Sequence, residues 1–103
     1  MILVKMAGML VGVLKLRLHI EGNRSLKGKR RVIKQIKESI LNKFGATVAE
    51  VGEQDKWQTA VLGVGLIGND ERRINASLDR ILNHVENMHL AELADHEMEF
   101  IHM

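Results

Sequence analysis

From Met9 to Ile20 the chain alternates. Leu10, Gly12, Leu14, Leu16, Leu18 and Ile20 fall on one side, and Val13, Lys15, Arg17 and His19 on the other. An extended chain sends successive side chains to opposite faces, so this period of two predicts a strand with one buried face. Leu26 to Phe44 changes period: Leu26, Val32, Ile33, Ile36, Ile40 and Phe44 share one side of a helix. Ser25 stands before it as an N-cap whose side-chain oxygen can accept an orphan amide, and Gly45 follows as a C-terminal glycine free to take positive φ. Ala46–Val51 reads as a short strand and Gly52–Lys56 as a polar loop. Gln58–Ile67 alternates again, with Ala60, Leu62, Val64 and Leu66 inward and Thr59, Val61, Gly63 and Gly65 outward. Gly68-Asn69-Asp70 then caps a second helix carrying the stripe Ile74, Leu78, Ile81, Leu82 and Val85. Leu93–Ile101 is the last strand, with Ala94, Met98 and Phe100 inward and Asp95, Glu97 and Glu99 outward.

The order β-α-β-β-α-β, with two one-sided helices, predicts an α+β ferredoxin-like sandwich. Right-handed crossovers put both helices on one face of a four-stranded antiparallel sheet of order 4-1-3-2. The other face is left bare or covered by a second chain. On it Lys15 and Arg17 are expected beside Glu97 and Glu99, cross-strand pairs that contribute about 0.2–1 kcal/mol each.

Residues 1–103 suffice for one domain and one core, which buries about 65% of the unfolded chain's surface. Cysteine is absent, which excludes disulfides, thiolate metal sites and cysteine nucleophiles. The run Met1–Ile20 is apolar, but Lys5, Lys15 and Arg17 interrupt it and it lacks a small-residue cleavage site. Neither a membrane span nor a leader is expected, and the expected location is the cytoplasm. The net charge of +2 conceals a gradient. Residues 1–44 hold eleven lysines and arginines against two acids, whereas residues 69–103 hold three against eight. Such polarity either attracts an anionic partner or holds two halves of the fold together.

Leu18-His19-Ile20 and Ser25-Leu26-Lys27-Gly28-Lys29-Arg30 resemble the opening signature of the YlxP-like proteins, a bacterial family of unknown function. The resemblance continues through Asn42-Lys43-Phe44, Val48-Ala49-Glu50-Val51, Trp57-Gln58 and Asn69-Asp70, with spacing intact over nearly the whole chain. It implies a ferredoxin-like fold. The family's genes tend to lie beside genes of ribosome maturation and translation, which implies a role with RNA or the ribosome. It carries no catalytic residue set. The family usually has Glu where this chain has Gly28, the third residue of a capping box. Gly28 removes that partner at a cost of about 1 kcal/mol. A looser first turn is expected, with amides freer to meet an anion.

The first helix holds the strongest candidate chemistry. Lys27, Arg30, Arg31, Lys34 and Lys37 share one arc, Arg24 precedes them, and Glu38 alone opposes them. Phosphates bind such a row without reading sequence; the plain alternative is a solvated helix face. Lys29 belongs with these cations in number but falls inside the apolar arc. Either its stem packs and its ammonium reaches water, or it is a partly desolvated lysine aimed at a ligand. The central strands carry no aromatic residues for base stacking, so any RNA contact is expected through phosphates and shape. Gly63 and Gly65 either relieve a central strand or admit another backbone, as in a sheet-to-sheet dimer.

Trp57, the one tryptophan, is either a rim aromatic on the core edge or, with Gln58, an anchor for a partner. Glu50 is a solvated edge residue or a neighbour of Trp57. Gly63-Val64-Gly65-Leu66-Ile67-Gly68 matches a dinucleotide-binding pattern, but the strand runs through its glycines and no parallel βαβ unit surrounds it, so no nucleotide cofactor is expected. The five histidines show no ligand spacing; His19 and His96 could approach across strands, yet no metal site is expected. Gly22-Asn23-Arg24-Ser25 loosely echoes the acylphosphatase loop without its glycine and phenylalanine framing, and no nucleophile–base–orienter set assembles. The sequence thus predicts a non-enzymatic module without cofactor or metal. It contacts RNA or a ribosomal subunit through the first helix, or alternatively forms a homodimer that binds no nucleic acid.

Overall fold

The computed structural model describes residues 8–103; the first seven residues of the Met1–Ile20 run, Lys5 among them, lie outside the described residues. The elements are β1 (Leu10–His19), α1 (Leu26–Phe44), β2 (Thr47–Gly52), β3 (Thr59–Gly68), α2 (Glu71–Met88) and β4 (Glu92–His102). All neighbouring strands are antiparallel and the sheet order is β2-β3-β1-β4, which is the expected order read from the opposite edge. Both long alternating strands sit centrally because each has an apolar face to bury and neighbours on both sides.

The core lies between the sheet and the helices. Leu14, Leu16 and Leu18 of β1 and Leu62 of β3 meet Ile36 and Ile40 of α1 and Leu78, Ile81 and Val85 of α2, all buried. At Gly12 a Cβ would collide with the Ile74 side chain, so glycine there lets α2 close on the sheet. Asp70 caps α2 by accepting from the amides of Arg72 and Arg73. Gly45 ends α1 at φ 66, and His89 ends α2 in the same left-handed conformation at φ 54.

Two sheet expectations need correction. The register of β1 with β4 slips between Arg17 and Leu18, so Leu18 faces Leu93 and Arg17 faces Asp95. The extra residue puts Leu93, not Ala94, against the core, and Ala94 is exposed. Lys15 does lie opposite Glu97, but Glu99 is opposite Val13 and Arg17 has found a different partner, Glu53. A second slip, between Glu50 and Gly52, pushes the Val51 side chain over Gly63. The space at Gly63 is therefore filled from within the chain, while Gly65 remains open. Among the described residues no helix is long and apolar enough to cross a membrane.

Candidate functional site

The cation row forms as the helical spacing requires. With Ile33, Ile36 and Ile40 turned to the core, Lys27, Arg30, Arg31 and Lys34 are exposed, Lys37 is half-buried, and Arg24 is exposed just before the helix. Among the described residues the row makes one ion pair, Lys34 with Glu38 at 3.9 Å, between two mostly exposed side chains. Exposed i,i+4 pairs of that kind contribute about 0.3–0.5 kcal/mol and leave the positive potential largely intact. Of the other acids, Asp70 caps α2, Glu53 pairs with Arg17, and Asp95, Glu97 and Glu99 lie on β4, whereas Glu21 and Asp55 are exposed in the loops beside the start of α1.

Lys29 does not join that row. Its side chain is 3% exposed, its ammonium donates to the Glu53 carbonyl at 2.6 Å and lies 3.0 Å from Glu50 Oε2. It is therefore not a cation at the surface: these two groups hold its ammonium inside the fold. Position 29 lies between Leu26 and Ile33 on the inner face of α1, directly over β2. There Glu50 pairs with Leu62 in the ladder and so turns toward the helices rather than to solvent. A buried ammonium without a partner costs several kcal/mol, and the strand beneath and the turn after it supply one partner each. The Lys29–Glu50 contact is a charge pair without hydrogen-bond alignment, since Glu50 Oε2 accepts no hydrogen bond. Outside it, a cleft of about 320 Å³ runs between α1 and the β2–β3 loop, rimmed by Arg30, Lys34 and Lys37.

Glu53 is a residue that the sequence did not single out. It sits at φ 56, uncommon for a residue with a side chain, and links three elements. Its carbonyl takes Lys29, and its carboxylate takes Arg17 of β1 and lies 3.6 Å from Lys56. The Thr59 hydroxyl and then the Arg17 guanidinium hold its carboxyl down from 4.5 to about 2, against the effect of burial. Thr59 Oγ1 and Glu53 Oε2 do not reach hydrogen-bond geometry with any group, so the Arg17 bond is the better-defined contact.

Asn23 is the other residue without a strong local signal. Its side-chain amide donates to the carbonyls of Ser25 and Trp57, and its own carbonyl accepts from Gln58 Nε2 at 3.2 Å. With Ile20 N donating to the Gln58 carbonyl at 2.7 Å, these bonds clasp the β1–α1 loop to the β2–β3 loop. Asn23 Oδ1 occupies the space that a Cβ on residue 28 would need. The Gly28 amide donates to Ser25 Oγ at 3.0 Å. Ser25 thus caps the first turn through the Gly28 amide, and Asn23 covers it at Gly28. Gln58 belongs to this clasp, whereas Trp57 stays 53% exposed.

The open sheet face presents a shallow concavity of about 930 Å³ over Val13, Ala49, Val51, Gly65 and Met98. Ile67 is 73% exposed on the same face. His19 and His96 are not opposite each other: His19 faces Glu92 and His96 faces Leu16. Among the described residues no group of three histidine, cysteine or carboxylate side chains is placed to hold a metal. His84 of α2 shares a hydrogen bond with Ser39 of α1 and packs edge-on against Phe44, and its burial, with Lys43 nearby, lowers its pKa below 6.5.

The family described as "Protein of unknown function (DUF503)" matches residues 11–98. The chain belongs to the DUF503 family. The uncharacterized protein YlxP of Bacillus subtilis (strain 168) is 33% identical over 63 residues, which is 61% of this chain and 68% of that protein. Among solved structures, a dimeric protein of unknown function and ferredoxin-like fold from Bacteroides fragilis matches with a TM-score of 0.51 and 11% identity, over 93% of this chain and 97% of that one. A protein named YJCS matches with a TM-score of 0.52 and 13% identity, over 86% and 96%. At such identities the likeness is one of fold.

Proposed function

We propose that this DUF503 protein is a non-catalytic cytoplasmic module that binds RNA, free or in a ribosomal subunit, through the phosphates facing α1. The observation that carries this reading is the exposure of Lys27, Arg30, Arg31 and Lys34 along one face of α1, with Arg24 just before it; among the described residues the row's one ion pair is the long contact to Glu38. Multiple cations presented together bind polyanions by releasing condensed counterions, and the fold leaves that face pointing away from the sheet. With five phosphate contacts on single-stranded RNA, log K should fall with log[salt] at a slope of about −3.5. Charge reversal in R30E/R31E/K34E should abolish binding and leave the melting temperature nearly unchanged. A triple variant that binds RNA like the parent would end the proposal. Co-purification of ribosomal subunits at low salt is the cellular counterpart of the same measurement.

A second reading is a homodimer through the opposite, open face of the sheet. The exposed Ile67 and Val51 and the open Gly65 favour it, as does the dimeric state of the ferredoxin-like neighbour from Bacteroides fragilis. Sedimentation at two concentrations tests it: a dimer that dissociates on Ile67→Glu supports this reading, and a monomer throughout removes it.

A further inference from the structure

We infer that Trp57 is a stacking platform for one base of single-stranded RNA whose phosphates follow the α1 row, so that the interface selects single strands over duplex. This rests on the RNA reading above and adds to it the class of RNA.

The chain has three aromatic residues of the Phe, Trp and Tyr class. Phe44 and Phe100 pack against the core, and Trp57 is 53% exposed. An exposed tryptophan on a loose loop would pay the full entropy of ordering on binding, but this loop is already ordered. Asn23 ties the Trp57 carbonyl to the Ser25 carbonyl, Gln58 Nε2 returns to the Asn23 carbonyl, and the Ile20 amide holds the Gln58 carbonyl. Behind Trp57 the Lys56 amide closes a turn onto the Glu53 carbonyl, and Arg17 holds the Glu53 carboxylate.

The clasp also sets position. The residue that grips the Trp57 backbone, Asn23, is followed by Arg24, and Lys27 lies in the first turn of α1. The platform therefore stands at the head of the cation row. From Lys27 to Lys37 a helix rises about 15 Å, long enough to follow several phosphates of one strand. The acids at this end, Glu21 and Asp55, are exposed in the two clasped loops, which leaves the α1 side as the approach for a polyanion. Stacking requires a free base face. In a duplex both faces of each base are covered by its neighbours, whereas single strands splay their bases onto aromatic side chains. Among the described residues no Phe, Trp or Tyr lies on the outward face of the central strands, and Trp57 is the exposed member of that class on which a base can stack.

The test is a titration of the full chain with oligouridine and, in parallel, with an RNA duplex of equal phosphate number, both at low salt. Trp57, the single tryptophan, reports directly. Oligouridine should quench its fluorescence, and the duplex should leave it nearly unchanged. W57A should weaken oligouridine binding about tenfold, with the salt slope and duplex affinity as in the parent, while W57F retains most of the affinity. Circular dichroism melts check that both variants fold. If W57A binds oligouridine like the parent and no quenching occurs, the platform is wrong, and loss of binding in R30E/R31E/K34E would leave the RNA reading standing. If W57A weakens both RNAs equally, the selection for single strands is wrong. If the parent binds neither RNA, both inferences fall.

Discussion

Lys29 Nζ lies 3.0 Å from Glu50 Oε2 beneath α1, with the lysine side chain 3% and the glutamate side chain 22% exposed. The pair locks the first helix to the edge strand at the point where the β2–β3 loop departs. The two partners are unequal because the lysine is far more deeply buried. Glu50→Gln removes the counter-charge and leaves the buried ammonium only the Glu53 carbonyl, at an expected cost of about 3 kcal/mol, whereas Lys29→Met keeps the packed stem and should cost about 1–2 kcal/mol. Replacing both, as Lys29→Met with Glu50→Leu, should recover most of the loss. Urea unfolding of the three variants checks this; equal costs for the two single changes would contradict the asymmetry.

Gly28 and Asn23 compete for one space. In the parent, Gly28→Ala should destabilise despite a helix-propensity gain of about 1 kcal/mol, because the new Cβ displaces an Asn23 side chain held by two carbonyls. In the Asn23→Ala background the same substitution should stabilise by about 1 kcal/mol. The sign change in thermal melts is the readout, and a stabilising Gly28→Ala in the parent would show that the clasp yields freely.

The helix ends should respond in opposite directions. Gly45 and His89 both sit in the left-handed region, where a Cβ costs about 1 kcal/mol. Gly45→Ala should therefore lower stability by about that amount, and His89→Gly should raise it by about 0.5–1 kcal/mol. Denaturant midpoints measured at constant slope decide both.

Acid should destabilise the protein in two steps. His84 has its folded pKa lowered below 6.5 by burial and then by Lys43, so the unfolded chain takes up its proton first. Its contribution is fully present above pH 6.5 and is lost as pH falls toward the lower folded value. Glu53 is lowered from 4.5 to about 2, so its contribution is present above 4.5 and is lost between there and about 2. Unfolding measured from pH 7 to pH 2 should show both windows. His84→Gln should flatten the first and Glu53→Gln the second; a profile unchanged by either variant would contradict the assignment.

Much of the architecture was legible because it depends on local period. A period of two in Leu10–Ile20 and Gln58–Ile67, a helical stripe in each helix and a serine or aspartate before each are properties of short windows. They set element type, the buried face and, through crossover handedness, the strand order. The cation row was legible for the same reason: if Ile33, Ile36 and Ile40 face inward, Arg30, Arg31 and Lys34 must face out.

What tertiary structure alone decided is how the loops and strand slips share space. A one-residue bulge exchanges Ala94 for Leu93, Arg17 pairs with Glu53 of the β2–β3 loop, and no local pattern signals where a ladder will slip. Lys29 was visibly out of place among apolar neighbours, but its partners, the Glu50 carboxylate and the Glu53 carbonyl, come from a strand and a turn more than twenty residues on. Asn23 reads as an ordinary loop residue until the β2–β3 loop arrives beside it. Periodicity tells each side chain which side of its own element it occupies; which atoms it then meets depends on chain segments far away in sequence, brought close only when the sheet and helices pack.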